Sequence, residues 1–135
     1  MSDTPFQEAP FQEAPSPFDK LLGLRVEAAS ADRVRAVLEV TPDLHQRDGI
    51  VHGGVYAAAV ETVASIGAQL ALQGTGRVVG ISNHTELLHA LHRGELHAEA
   101  TPLARGFSTQ LWEVAVTDGR GRTVAHGRVR LLNHR

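Results

Sequence analysis

Residues 53–72 open on Gly53-Gly54 and continue as an Ala- and Val-rich stretch whose one charged residue is Glu61. No proline interrupts it, and Gln73-Gly74-Thr75-Gly76 closes it, so it predicts a helix from about residue 54 to 73. Apolar residues surround most of such a helix, and the rest of the chain must cover it. That rest reads as strands. Arg33 to Val40 alternates, and residues 24–29 are placed to pair with it through Ser30-Ala31-Asp32. Val78 to Leu88 resumes as strand, and Glu95 to Thr101 alternates with Leu96, Ala98 and Ala100 inward. Residues 108–117 and 122–132 flank Asp118-Gly119-Arg120-Gly121, a hairpin signal. Ser16-Pro17-Phe18 starts a short helix to about Leu22, with Pro at the first turn. Antiparallel strands plus one long apolar helix give an α+β layout with a sheet wrapped around that helix. Periodicity leaves the strand order open.

With 135 residues the chain makes one domain. A formal net charge of -2, with no basic run interleaved with aromatics, argues against a nucleic-acid partner. The absence of cysteine excludes disulfides, a thiolate nucleophile and thiolate metal sites. Glu61, Thr62, Ser65 and Gln69 interrupt the apolar stretch, so no membrane span is expected. With neither a basic n-region nor an apolar h-region at the start, a cytoplasmic location is the expectation. Pro5-Phe6-Gln7-Glu8-Ala9 recurs at once as residues 10–14. Residues 1–16 are therefore expected to form a flexible Pro-rich tail, ahead of a domain over 17–135.

Two glycines leave backbone N–H groups uncovered where a helix begins, which suits an anion or a developing oxyanion. A carboxylate within an apolar helix needs a partner or a task. Metal chemistry finds little support. His89-x-x-His92 is a close pair, but a strand would send the two rings to opposite faces, and His-Glu-x-x-His is absent. Gly74-Thr75-Gly76 precedes a strand rather than a helix, which fails the dinucleotide fingerprint. Asn83-His84-Thr85 matches a glycosylation sequon, which carries no meaning without a leader.

Gln46, then Gly49-Ile50-Val51-His52-Gly53-Gly54, then Glu61 eight residues after Gly53, resembles the central signature of the hotdog-fold acyl-CoA thioesterases. The acid points to the 4-hydroxybenzoyl-CoA thioesterase-like branch, since the phenylacetate-pathway thioesterase-like branch usually carries Asp there. The resemblance spans about residues 18–132. It implies a hotdog fold and hydrolysis of an acyl-CoA, with an aromatic or other compact acyl group favoured. No cofactor is implied, since CoA belongs to the substrate. A homodimer is implied, with a homotetramer favoured.

Each site residue then has an expected task. The Gly53 N–H polarises the thioester carbonyl, and Glu61 acts as nucleophile or general base. Ser65, one turn on, holds water or orients the acid. Gln46 donates to the thioester region, and His52 orients the substrate or its loop. Gly54 belongs to the substrate-binding set. The family's Leu-Arg-Pro-Val after the helix is Leu88-His89-Ala90-Leu91 here, and Gly106 is followed by Phe107 rather than a basic residue. CoA phosphate contacts therefore fall to Arg105, Gly106 and Ser108, or to residues elsewhere. Gly53 and Glu61 stand about 12 Å apart in rise along one helix, which asks for a site shared between two chains. The competing readings are a non-catalytic acyl-CoA-binding module and a medium-chain fatty acyl-CoA thioesterase.

Overall fold

The computed structural model describes residues 13–135. The repeated tail therefore lies largely outside the described residues. Helix α1 spans Pro17–Leu22, capped by the Ser16 side chain, which accepts from Asp19 N–H. Strands β1 (Arg25–Ala29) and β2 (Val34–Val40) follow, then a 3-10 turn over Pro42–Leu44 and helix α2 over Gly53–Ala71. Strands β3 (Arg77–Leu87), β4 (Gly94–Arg105), β5 (Thr109–Asp118) and β6 (Thr123–His134) complete the chain. Both helices and all six strands stand where the sequence places them, within a few residues except at the end of β4.

The strands form one antiparallel sheet in the order β1-β2-β4-β5-β6-β3, wrapped around α2. This is the hotdog fold. Strand β3 leaves α2, crosses to the far side and pairs with β6, so it ends as an edge. Such an order rests on pairings distant in sequence, which local patterning does not encode. Strand β4 runs four residues past its expected end. Pro102 pairs opposite Trp112, and a bulge between Pro102 and Ala104 absorbs the missing N–H.

Helix α2 buries Val55, Tyr56, Ala59, Val60, Val63, Ala64, Gly67 and Ala68 against the sheet, the 3–4 spacing of one helical face. Gln73 and Gly74 turn the chain out of the helix at φ 51° and 79°, the left-handed geometry that glycine meets without strain. Trp112 is fully buried, and its Nε1–H donates to Gln110 Oε1 at 2.9 Å. Gln110 Nε2 donates in turn to Ala68 O and Asn133 Oδ1, both at 3.0 Å. The indole lies so close that a Cβ on Gly67 would come within 2.5 Å of Trp112 Cη2. Gly67→Ala is accordingly expected to destabilise by about 1–3 kcal/mol, the usual cost of overpacking. A denaturant midpoint equal to wild type would contradict that packing.

The expected hairpin joins β5 to β6. Asp118 Oδ1 accepts from the N–H groups of Arg120 and Arg122, both at 2.9 Å, and Oδ2 pairs with Arg122 Nε at 3.2 Å. These bonds, led by the Arg122 N–H, hold the Asp118 carboxyl below its ordinary value. A carboxyl depressed in the folded state stabilises above its unfolded value, near 3.9, and that gain is lost as pH falls through the folded value. Asp118→Ala should therefore lower Tm most near neutrality, with the gap to wild type narrowing below about pH 4. An equal gap at pH 3 and pH 7 would remove the charge from this explanation.

Candidate active site

Loop 45–52 delivers His52 to the start of α2. The loop is pinned by Gln46 N–H to Ile50 O (2.8 Å), His52 N–H to Leu44 O (2.9 Å) and Val51 N–H to Leu91 O (2.8 Å). Gln46 Oε1 accepts from Asp48 N–H, which orients the Gln46 side chain and uses its carbonyl end rather than its NH2.

His52 is the N-cap of α2. Its Nδ1 accepts from Gly54 N–H at 2.8 Å, and its carbonyl accepts from Val55 N–H at 2.9 Å. A ring accepting at Nδ1 carries its proton, when neutral, on Nε2. With the Gly54 and Val55 amides both engaged by His52, Gly53 is the first-turn amide left to face outward. As a first-turn amide, its N–H runs roughly parallel to the helix axis at the end where the macrodipole is positive. Gly54 contributes space instead, since a Cβ there would approach His52 Nδ1 to 2.9 Å.

Glu61 projects from the face of α2 that the sheet leaves open, and it is exposed rather than buried. Its neighbours come from edge strand β3. Asn83 Nδ2 donates to Ala57 O at 3.0 Å and reaches Glu61 Oε1 at 3.4 Å, while its Oδ1 accepts from Thr85 Oγ1 at 2.7 Å. Gly80 faces the same carboxyl, with a virtual Cβ 3.9 Å from Glu61 Cδ. Both meet it because of a bulge between Gly80 and Ser82. One extra residue shifts the strand's phase, so Gly80 and Asn83 share the helix-facing side instead of opposing each other. Sequence reading missed Asn83, which drew notice only within the sequon.

Ser65 is half-buried one turn beyond Glu61, on the same face. Arg105, Gly106 and Ser108 stand apart from these groups. Arg105 Nη1 donates to Ala31 O (2.7 Å) and pairs with Asp32 (3.0 Å). The loop carrying Gly106 and Ser108 borders a cleft with Ala71, Leu72 and Gln73, at the C-terminal end of α2. The chain thus gathers Gln46, His52, Gly53 and Gly54 at the N-terminus of the helix. It places Glu61, Ser65 and Asn83 about two turns along, and Arg105, Gly106 and Ser108 at the far end. Among the described residues no cluster of three or more His, Asp or Glu could hold a metal ion, and no helix is long and apolar enough to cross a membrane.

Comparison with known proteins places this arrangement. The Thioesterase superfamily model matches residues 48–125, from the turn before His52 into β6. The chain belongs to the thioesterase superfamily. It is a hydrolytic enzyme acting on thioesters. It is 37% identical over 95 residues to the 1,4-dihydroxy-2-naphthoyl-CoA hydrolase of Listeria monocytogenes, covering 69% of this chain and 77% of that one. To the proofreading thioesterase EntH of Cronobacter turicensis it is 30% identical over 108 residues, 80% of this chain and 79% of the relative. The solved structure of the Mycobacterium tuberculosis protein Rv1847/MT1895 superposes with a TM-score of 0.87 at 44% identity, covering 88% of this chain and 97% of that chain. AziG of S. sahachiroi gives the same TM-score at 43% identity, over 89% and 98%.

Proposed function

We propose that this thioesterase hydrolyses acyl-CoA thioesters with an aromatic or other compact acyl group, using sites shared between the two chains of a homodimer. The observation that carries this reading is the outward Gly53 amide with Glu61 two turns along on an open helix face. The Gly53 N–H stabilises the oxyanion that forms when the carbonyl is attacked. Glu61 supplies the carboxylate, as nucleophile or as the base that activates water, and Asn83 holds it on the β3 side. Ser65 orients the acid or the water. Gln46 and His52 hold the thioester end, while Gly54 gives it room.

Along one helix the eight residues from Gly53 to Glu61 correspond to about 12 Å of rise, and one thioester does not touch both. Two copies of α2 packed antiparallel bring Gly53 of one chain to Glu61 of the other, twice per dimer. The surface suits that pairing. Edge strand β3 presents Val79 (53% exposed) and Ile81 (52%), and α2 presents Leu70, an unprotected edge with apolar side chains. In such a pair the loop with Arg105, Gly106 and Ser108 of one chain approaches the Gly53 end of the other, where it can contact the carrier arm. The acyl preference is supported by the Listeria relative, a 1,4-dihydroxy-2-naphthoyl-CoA hydrolase.

Thiol release from a panel of acyl-CoA thioesters tests the reading. The highest kcat/KM is expected for aromatic acyl groups. Preference for medium-chain fatty acyl-CoA would overturn the acyl assignment. Binding of all members without release of thiol would make the chain an acyl-CoA-binding module.

A further inference from the structure

The Asn83-His84-Thr85 triplet that matches a glycosylation sequon forms a hydrogen-bonded pair in the folded strand, Thr85 Oγ1 donating to Asn83 Oδ1 at 2.7 Å. Residues two apart on a strand share a face. Beyond the bulge at residues 80–82, Asn83, Thr85 and Leu87 all turn toward α2. Asn83 bonds to Ala57 O, and Leu87 meets Gly53. Thr85 stands opposite Gly127, where an added Cβ would lie 2.7 Å from Val60 Cγ1 and 2.8 Å from Thr85 Oγ1. A glycine in mid-strand marks such a close approach. Its missing side chain leaves the room that the Thr85 hydroxyl occupies between β6 and the helix.

The partners fix which way the Asn83 amide points. Ala57 O and the Glu61 carboxylate are acceptors only, and both lie at one end of the amide, 3.0 Å and 3.4 Å from Nδ2. That end must be the NH2. The other end is then Oδ1, and the Thr85 hydroxyl gives its proton there. Ala57 stands four residues before Glu61, so its carbonyl also accepts the helical N–H of Glu61 itself. Asn83 thus grips both the turn that carries the acid and the acid's Oε1. On the same side Gly80 has no side chain to crowd the carboxyl. The 3.4 Å reach to Oε1 is long, and bonds of this kind at catalytic groups commonly tighten once the reacting complex forms. Asn83 is exposed and Thr85 half-buried, so neither belongs to the packed core.

We propose that Asn83 and Thr85 are positioning residues for hydrolysis, with Thr85 locking the Asn83 amide and the amide holding Glu61 by Oε1, so that Oε2 is the oxygen that reacts; this rests on the reading of Glu61 as the catalytic carboxylate. Thiol release from benzoyl-CoA is measured for wild type, Asn83→Ala, Thr85→Val and Thr85→Ser, and for Asn83→Ala in the Glu61→Gln background. Asn83→Ala should lower kcat about tenfold or more, the scale of a lost hydrogen bond to a charged group, with KM and Tm near wild type. Thr85→Val keeps the shape without the hydroxyl and should lower kcat about threefold or more. Thr85→Ser, which keeps the hydroxyl, should stay near wild type. In the Glu61→Gln background Asn83→Ala should cost no further activity, because the group it positions is already gone. A merely structural tether between β3 and α2 would lower activity by the same factor in both backgrounds, and that result would overturn the proposal. So would wild-type kcat in Asn83→Ala beside an inactive Glu61→Gln, or Thr85→Ser losing as much as Thr85→Val. Full turnover in Glu61→Gln would instead sink the catalytic reading, and this assignment with it.

Discussion

Glu61→Gln is expected to lower kcat by at least about a hundredfold, the scale of a general acid–base contribution, while Tm stays near that of wild type. The amide keeps the shape and the contact with Asn83, yet it can neither attack a carbonyl nor accept a proton. Stability should hold because Glu61 is exposed on an open helix face, away from the packed side of α2. KM is expected to change little, since the loss falls on the chemical step rather than on the carrier arm. A variant that kept most of its turnover on the best substrate would reduce Glu61 to a surface residue of α2.

Gly53→Pro should cost about a hundredfold to a thousandfold in kcat, the range seen when one oxyanion donor is removed. The substitution deletes the N–H and little else. Proline is favoured at the first helical position, and it requires an extended residue before it. His52 already has φ -64° and ψ 134°. The added carbons meet Leu87 Cδ1, which a virtual Cβ approaches to 2.6 Å. Leu87 is 56% exposed, and its side-chain tip can swing aside. Gly53→Ala, which retains the N–H, is the matching control and should keep far more activity. Equal losses in the two variants would assign the effect to bulk at the helix start rather than to the missing donor.

The sequence made the local parts of this molecule legible. The Gly-Gly opening and Gln73-Gly74 closure bounded α2, and Asp118-Gly119-Arg120-Gly121 marked the hairpin. Gly53, Glu61 and Ser65 were likewise visible from their spacing along one helix. Four features were not. The edge position of β3 depends on its pairing with β6, whose partners lie from 38 residues away in sequence (Leu87 with Ala125) to 57 (Arg77 with His134). Asn83 reaches Glu61 through a bulge at residues 80–82, and alternation without the bulge would turn it to the opposite face. The division of the first-turn amides, with Gly54 and Val55 engaged by His52, depends on a rotamer and a cap geometry that a Gly-Gly pair does not specify. The open face at Glu61 was also unforeseen, because an acid in an apolar segment suggests burial, and a second chain supplies that burial only in the proposed dimer.

Subunit exchange between two inactive variants tests the shared site most directly. Glu61→Ala lacks the carboxylate and Gly53→Pro lacks the amide donor, and each parent should be nearly inactive as a folded dimer. A one-to-one mixture under exchange makes about half of the dimers mixed, and each mixed dimer holds one site with both groups intact. Activity is expected to rise from near zero towards about a quarter of wild type as exchange proceeds. Mixed dimers that form, verified by differential tagging and mass measurement, and yet stay as inactive as the parents would contradict a site built from Gly53 of one chain and Glu61 of the other.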